Sequence, residues 1–164
     1  MTPGDPTLAE ITDAVALGRA GDTAAARARL HEVWERIGPA GDAFHRCTLA
    51  HYLADLYDEP AQALAWDVRA LDAADALTDE RVRRHHDGLR IAGFYPSLHL
   101  NLADDFRRLG AFAAATEHIA AARHHEAALA GDGYGTLVRR AITEVAEAIA
   151  RRSTEPRATA PGPR

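Results

Sequence analysis

The chain has 164 residues, 47% hydrophobic and 26% charged, which is the composition of a folded, water-soluble domain large enough to bury a core. Its formal net charge of −5 argues against general nucleic-acid binding, which needs excess positive charge to release counterions from phosphate. All 19 basic residues are arginine, and with the high alanine content this points to GC-rich coding and a bacterial source. Cys47 is the single cysteine, so neither an internal disulfide nor a multi-cysteine zinc site can form. The N-terminus has no basic start followed by an apolar run, and no stretch approaches the roughly 18 apolar residues of a membrane span. The expected location is the cytoplasm.

Residues 1–6 carry two prolines and a glycine and read as a disordered tail. A helix follows from Thr7, where Thr7 and Glu10 have the spacing of a capping box. Gly21 ends it and Asp22 caps the next, which runs to about Ile37 before Gly38-Pro39. Asp42 caps a third helix reaching about Tyr57. Pro60 opens a fourth, where its missing amide costs nothing, and that helix runs to about Leu77. The segment 79–95 starts helix-like, but Gly88 and Gly93 flank a weak apolar run, so it reads as a short helix plus loop. Pro96 opens another helix ending at Gly110, and a further one runs from Phe112 to about Ala130. In the last, Tyr134 to about Arg152, the spacing of Val138, Ile142, Val145 and Ile149 puts all four on one face. Residues 153–164 hold three prolines and no large apolar side chain and read as a disordered tail. Nothing alternates with the period of a strand. The expected fold is all-α, built of antiparallel helical hairpins over 7–152 with 79–95 as an insertion.

Asn101-Leu102-Ala103, Phe106, Leu109-Gly110, Phe112, Ala115, Ile119 and Ala122 carry a resemblance to the tetratricopeptide repeat. In that repeat, small residues at fixed places let two antiparallel helices approach closely. Here Ala103, Ala115 and Ala122 hold those places. The same register gives Ala14, Ala26 and Val33 in a first hairpin and His51, Ala63 and Ala70 in a second. Gly21-Asp22 and Gly110-Ala111 occupy equivalent turns. The resemblance covers about 8–130 and implies an α-solenoid of about three repeats closed by a polar-faced last helix. His51 departs from the pattern, standing where the family has glycine or alanine, and the 79–95 insertion lengthens the step to the third repeat.

The resemblance also implies a concave groove lined by the first helix of each hairpin. That register assigns binding to His45, Tyr52, Asp55, Asn101, Asp104, Arg107 and Arg108, with Thr48 and Ser97 on the same face. Asn101 sits where family members that clamp a peptide use asparagine, although Thr12 and Leu49 occupy its equivalents, so a full clamp is not supported. No HExxH, no Glu-x-x-His pair, no phosphate loop and no nucleophile–base set is present. The pairs His85-His86 and His124-His125 read as solvated, His51 as a buried, hydrogen-bonded histidine, and Cys47, beside Phe44, as a small core residue. Arg81, Arg83, Arg84 and Arg90 make 79–95 locally basic. No catalytic residue, metal or cofactor is assigned. The expected function is an interaction scaffold for a peptide or protein partner, without nucleic acid or membrane. One rival is a small-molecule sensor or enzyme in which 79–95 closes a pocket of His45, Tyr52, Asp55, Tyr95 and His99. The other is a homodimer joined through the concave face.

Overall fold

The computed structural model describes residues 4–84 and 90–158. Among them every regular element is a helix, with no strand. The α-helices are α1 (Pro6–Arg19), α2 (Thr23–Ile37), α3 (Ala43–Ala54), α4 (Pro60–Asp75), α5 (Asp79–Arg83), α6 (Tyr95–Arg108), α7 (Phe112–His125) and α8 (Gly133–Ala150), with 3-10 turns at Ile91–Gly93 and Glu126–Ala128. No helix among the described residues is long and apolar enough to cross a membrane. The His85-His86 pair and Gly88 lie outside the described residues, as do 1–3 and 159–164.

Aspartate side chains start four of the eight α-helices. Asp22, Asp42 and Asp132 each accept a bond from the backbone amide three residues on, satisfying a donor that the first turn leaves without a partner. The start of α1 differs from the capping-box expectation. Asp5 is the cap, its Oδ1 taking the Leu8 amide at 3.0 Å, and Pro6 opens the helix. Thr7 therefore lies inside the first turn. Asp-Pro is the stronger start signal, because the carboxylate also meets the positive end of the helix dipole and proline is already set at the helical φ.

Three helices end in the same way. At α1, Gly21 (φ 98°) donates its amide to Gly18 and Asp22 to Leu17, both at 3.0 Å. At α6, Gly110 (φ 78°) donates to Arg107 at 2.9 Å and Ala111 to Phe106 at 2.8 Å. At α8, Arg152 (φ 51°) donates to Ile149 at 2.9 Å and Ser153 to Ala148 at 3.0 Å. This double bond recovers two carbonyls that the helix cannot use itself and needs one left-handed residue. Glycine takes that conformation at no steric cost, whereas an L side chain such as arginine gives up roughly 1–2 kcal/mol.

The chain forms two compact units, meeting in sequence at Ala73 and Ala74. In the first, α1, α2 and α3 pack on one another. Ile11, Ala14, Ala26, Leu30, Leu49, Ala50 and Leu53 are wholly buried there, so two of the expected close-approach alanines lie at its centre. In the second, α6 and α7 pack against each other and both pack on α8. Leu100, Ala103, Ile119, Ala122, Leu129, Val138, Ile142 and Val145 form its core, with Ile149 packed at the edge. The apolar stripe of α8 thus lies where its spacing predicts, each large side chain contributing about 1.5–3 kcal/mol by leaving water. The opposite face of α8 is less polar than expected of a closing helix, because Tyr134 and Leu137 are exposed. The described residues of the insertion include α5, capped by Thr78, and the turn at Ile91–Gly93.

Candidate functional site

Of the seven residues expected to bind, His45, Tyr52 and Asp55 belong to the first unit and Asn101, Asp104, Arg107 and Arg108 to the second. His45 is committed to the fold: its Nε2 donates to Asp5 Oδ2 at 2.6 Å, while the other Asp5 oxygen caps α1. Tyr52 and Asp55 are half-buried, Tyr52 with its ring 6.0 Å from that of His51. Asn101 and Arg108 are half-buried on α6.

Arg107 and Asp104 do come together, and with them comes the segment 153–157. Arg107 is fully buried. Its Nε and Nη2 donate to Asp104 Oδ1 at 3.0 and 2.6 Å, and its Nη1 donates to the carbonyls of Ser153 at 2.7 Å and Glu155 at 2.8 Å. Arg157 reaches the same place. Its Nη1 donates to Glu144 Oε2 at 3.0 Å and its Nε lies 3.8 Å from Asp104 Oδ1, with the side chain only 12% exposed. Composition alone gives residues 153–158 no reason to order, since they offer no large apolar side chain. They are held instead by charge-assisted bonds to main-chain oxygens, which leave no mark in a hydropathy pattern. The left-handed Arg152 turns the chain back after α8 and also sets its guanidinium 4.5 Å from the centre of the Phe112 ring.

A second cluster lies on α6 and α7. His99 Nδ1 and His118 Nδ1 are 3.0 Å apart. Their ring centres are 5.3 Å apart, little more than the nitrogen separation plus the two ring radii, so the nitrogens face each other along one line. One Nδ1–H donates to the other Nδ1, which fixes opposite tautomers on the two rings. A metal ion would need both lone pairs to converge on a third point, which this head-on arrangement denies. Among the described residues no set of three or more His, Cys, Asp or Glu side chains could hold a metal ion. Tyr95 stacks on His125 at 5.0 Å and on His99 at 6.0 Å, its hydroxyl donating to Asp75 at 2.6 Å, and Phe106 stacks on His118 at 5.4 Å. Burial holds the His99 pKa below its usual value, helped by His118 and His125 and opposed by Asp75. Burial likewise lowers that of His118, opposed by Glu117. Tyr95 and His99 of the rival pocket therefore have near neighbours that the sequence reading did not include: His118, His125 and Asp75. In hairpin register, Tyr95, His99 and Phe106 on α6 face His118 and His125 on α7, and that stripe was the available signal.

The first unit holds both tryptophans in one aromatic group, also absent from the sequence reading. Trp34 and Trp66 meet edge to face at 5.1 Å, His31 lies 5.3 Å from Trp66 and hydrogen-bonds the Tyr57 hydroxyl at 2.7 Å, and the Arg69 guanidinium lies 4.3 Å over Trp66. His51 differs from expectation: it is half-buried rather than buried, and its Nδ1 lies 3.9 Å from Asp67 Oδ1 without a hydrogen bond. Cys47 is buried, and burial pushes its thiol up to about 12 against the smaller opposing pull of Arg46, so no reactive thiolate exists there.

The chain is thus an all-helical protein of packed neighbouring helices. No protein-family model matches it, and no curated protein or solved structure matches it either.

Proposed function

We propose that this chain is a tetratricopeptide-like interaction module, cytoplasmic and bacterial, that holds a non-helical peptide segment of a partner protein against α6. The observation that carries this reading is Arg107, whose single Nη1 is bonded to two main-chain carbonyls two residues apart. Helices and sheets use up their own carbonyls, so a guanidinium presented this way selects irregular main chain over regular structure. Asp104 locks that guanidinium in place from its other edge, leaving Nη1 aimed outward from the helix. The repeat reading draws support from the shared ends of α1 and α6, from the buried alanines at 14, 26, 103, 115 and 122, and from α8 closing the α6–α7 pair. Small residues let helix pairs lie close, and such pairs hide their remaining apolar faces only by packing on neighbours.

A random peptide library displayed on phage and selected on the immobilised full chain tests this. An enriched peptide family whose binding falls at least tenfold with Asp104→Ala supports the module. Failure to enrich any family both on the full chain and on its Arg157→Glu variant, in which the 153–157 segment is loosened, or enrichment indifferent to Asp104, removes the assignment of this face.

A further inference from the structure

The segment held by Arg107 has a chemistry of its own. Ser153 and Glu155 present their carbonyls to one guanidinium, Pro156 prevents the stretch from continuing as helix, and Arg157 enters between two carboxylates, Glu144 of α8 and Asp104 of α6. The residues that bind it are those the module would use for a partner. Glu144 is also shared, since its Oε1 accepts from Arg140 at 2.9 Å. The segment enters the site through a strained joint: Arg152 is the one residue other than glycine with positive φ among the described residues, and it stands where α1 and α6 have glycine. A segment fixed solely for stability would be reached more cheaply through glycine.

We propose, resting on the interaction reading above, that residues 153–157 are an intramolecular stand-in for the partner. The site takes a non-helical peptide that carries Pro-Arg, with the arginine two residues after the second gripped carbonyl, and the chain's own segment occupies it until such a peptide displaces it. Charge supports the choice of partner. The carboxylates of Asp104 and Glu144 accept a guanidinium, whereas an acidic peptide would meet them with like charge and leave Arg157 seated. The own segment, being covalently attached, competes at a high effective concentration, so the wild-type chain binds weakly in trans and a chain with a loosened segment binds strongly.

The probe is a fluorescein-labelled peptide of the sequence Ser-Thr-Glu-Pro-Arg-Ala, with a control carrying alanine for arginine, titrated into the full chain and its Arg157→Glu variant. Fluorescence anisotropy should show the variant binding the peptide at least tenfold more tightly than wild type, and the control binding neither. Hydrogen exchange at the Ser153 amide, bonded to Ala148 O at 3.0 Å, reports whether the segment is seated. It should quicken in Arg157→Glu, and in wild type when the peptide is added in excess. The proposal is overturned by equal peptide affinity of the two proteins, or by a Ser153 amide as protected in the variant and in peptide-saturated wild type as in wild type alone. Binding of unrelated library peptides, unchanged by Arg157→Glu, would leave the interaction module standing and remove this reading of its ligand. So would light scattering that shows a wild-type dimer lost in Arg157→Glu, because the occupant would then be the segment of a second copy.

Discussion

Replacing Arg107 by methionine keeps much of the side-chain volume and deletes the charge and all four hydrogen bonds. Asp104, 13% exposed, would keep Arg157, at 3.8 Å, as an ion-pair partner, and the Ser153 and Glu155 carbonyls would lose the guanidinium that holds them. Removing one member of a buried pair costs about 3–5 kcal/mol. Asp104 can turn partly to water and to Arg157, which sets the expectation at the lower end, about 3 kcal/mol. That is a large fraction of the roughly 5–15 kcal/mol that holds a domain together. Urea unfolding followed by far-ultraviolet circular dichroism measures it. Trp34 and Trp66 are the only tryptophans and both lie in the first unit, so their fluorescence gives a reference transition for the unit that the substitution does not touch. Pairing Arg107→Met with Asp104→Asn completes a double-mutant cycle. The double variant should be less destabilised than the sum of the singles by about 1–3 kcal/mol, since neither group is then stranded. A cost for Arg107→Met below about 1 kcal/mol, the range of exposed pairs, or strict additivity in the cycle, would show that this guanidinium holds nothing in place.

Three further outcomes are expected. His99 and His118 titrate below the ordinary 6.5 in the folded chain, chiefly because they are buried, so as pH falls below about 6.5 the unfolded chain binds more protons than the folded one. Their contribution is therefore fully present above that pH and declines as pH falls through it towards the lowered folded values. The urea midpoint of wild type should drop between pH 7.5 and 5.5 by more than that of His118→Gln, and equal drops would contradict the pairing. In Gly135→Ala the new Cβ would collide with the backbone oxygen of Ala130, so the first turn of α8 must shift, and thermal unfolding should report a loss of about 1–3 kcal/mol. Ala122→Leu forces extra volume into the α6–α7–α8 core, where Ala122 is wholly buried, and should cost a similar 1–3 kcal/mol, whereas Ala127→Leu at an exposed turn should stay within about 0.5 kcal/mol by chemical denaturation.

Helix positions were legible because this chain marks them with strong local chemistry: aspartate caps at 22 and 42, glycine at 21 and 110, proline at 60 and 96. The buried alanines were legible for the same reason, as a spacing rule acts within one hairpin. What stayed hidden depends on partners distant in sequence. His99 and His118 belong to different helices, and only the pairing of α6 with α7 sets their nitrogens head to head. Arg107 is readable as a polar position on α6 three residues from Asp104, but its other two acceptors are backbone oxygens 46 and 48 residues away, which any residue type could supply. The register of His45 fits the candidate groove, while its side chain bonds Asp5, forty residues earlier. The start of α1 is a different case, since Asp5-Pro6 is a local signal stronger than the Thr7–Glu10 spacing beside it.

The buried, proton-retaining thiol of Cys47 has a practical consequence when joined to the absence of lysine from the sequence. With the native fold intact, the chain presents no side-chain amine to acylating reagents and no thiolate to maleimides. A single cysteine introduced at Thr154 or Leu137, both exposed, would thus carry a dye or spin label alone, without first stripping the native one. Distance and motion at either place could then be followed on otherwise unaltered protein.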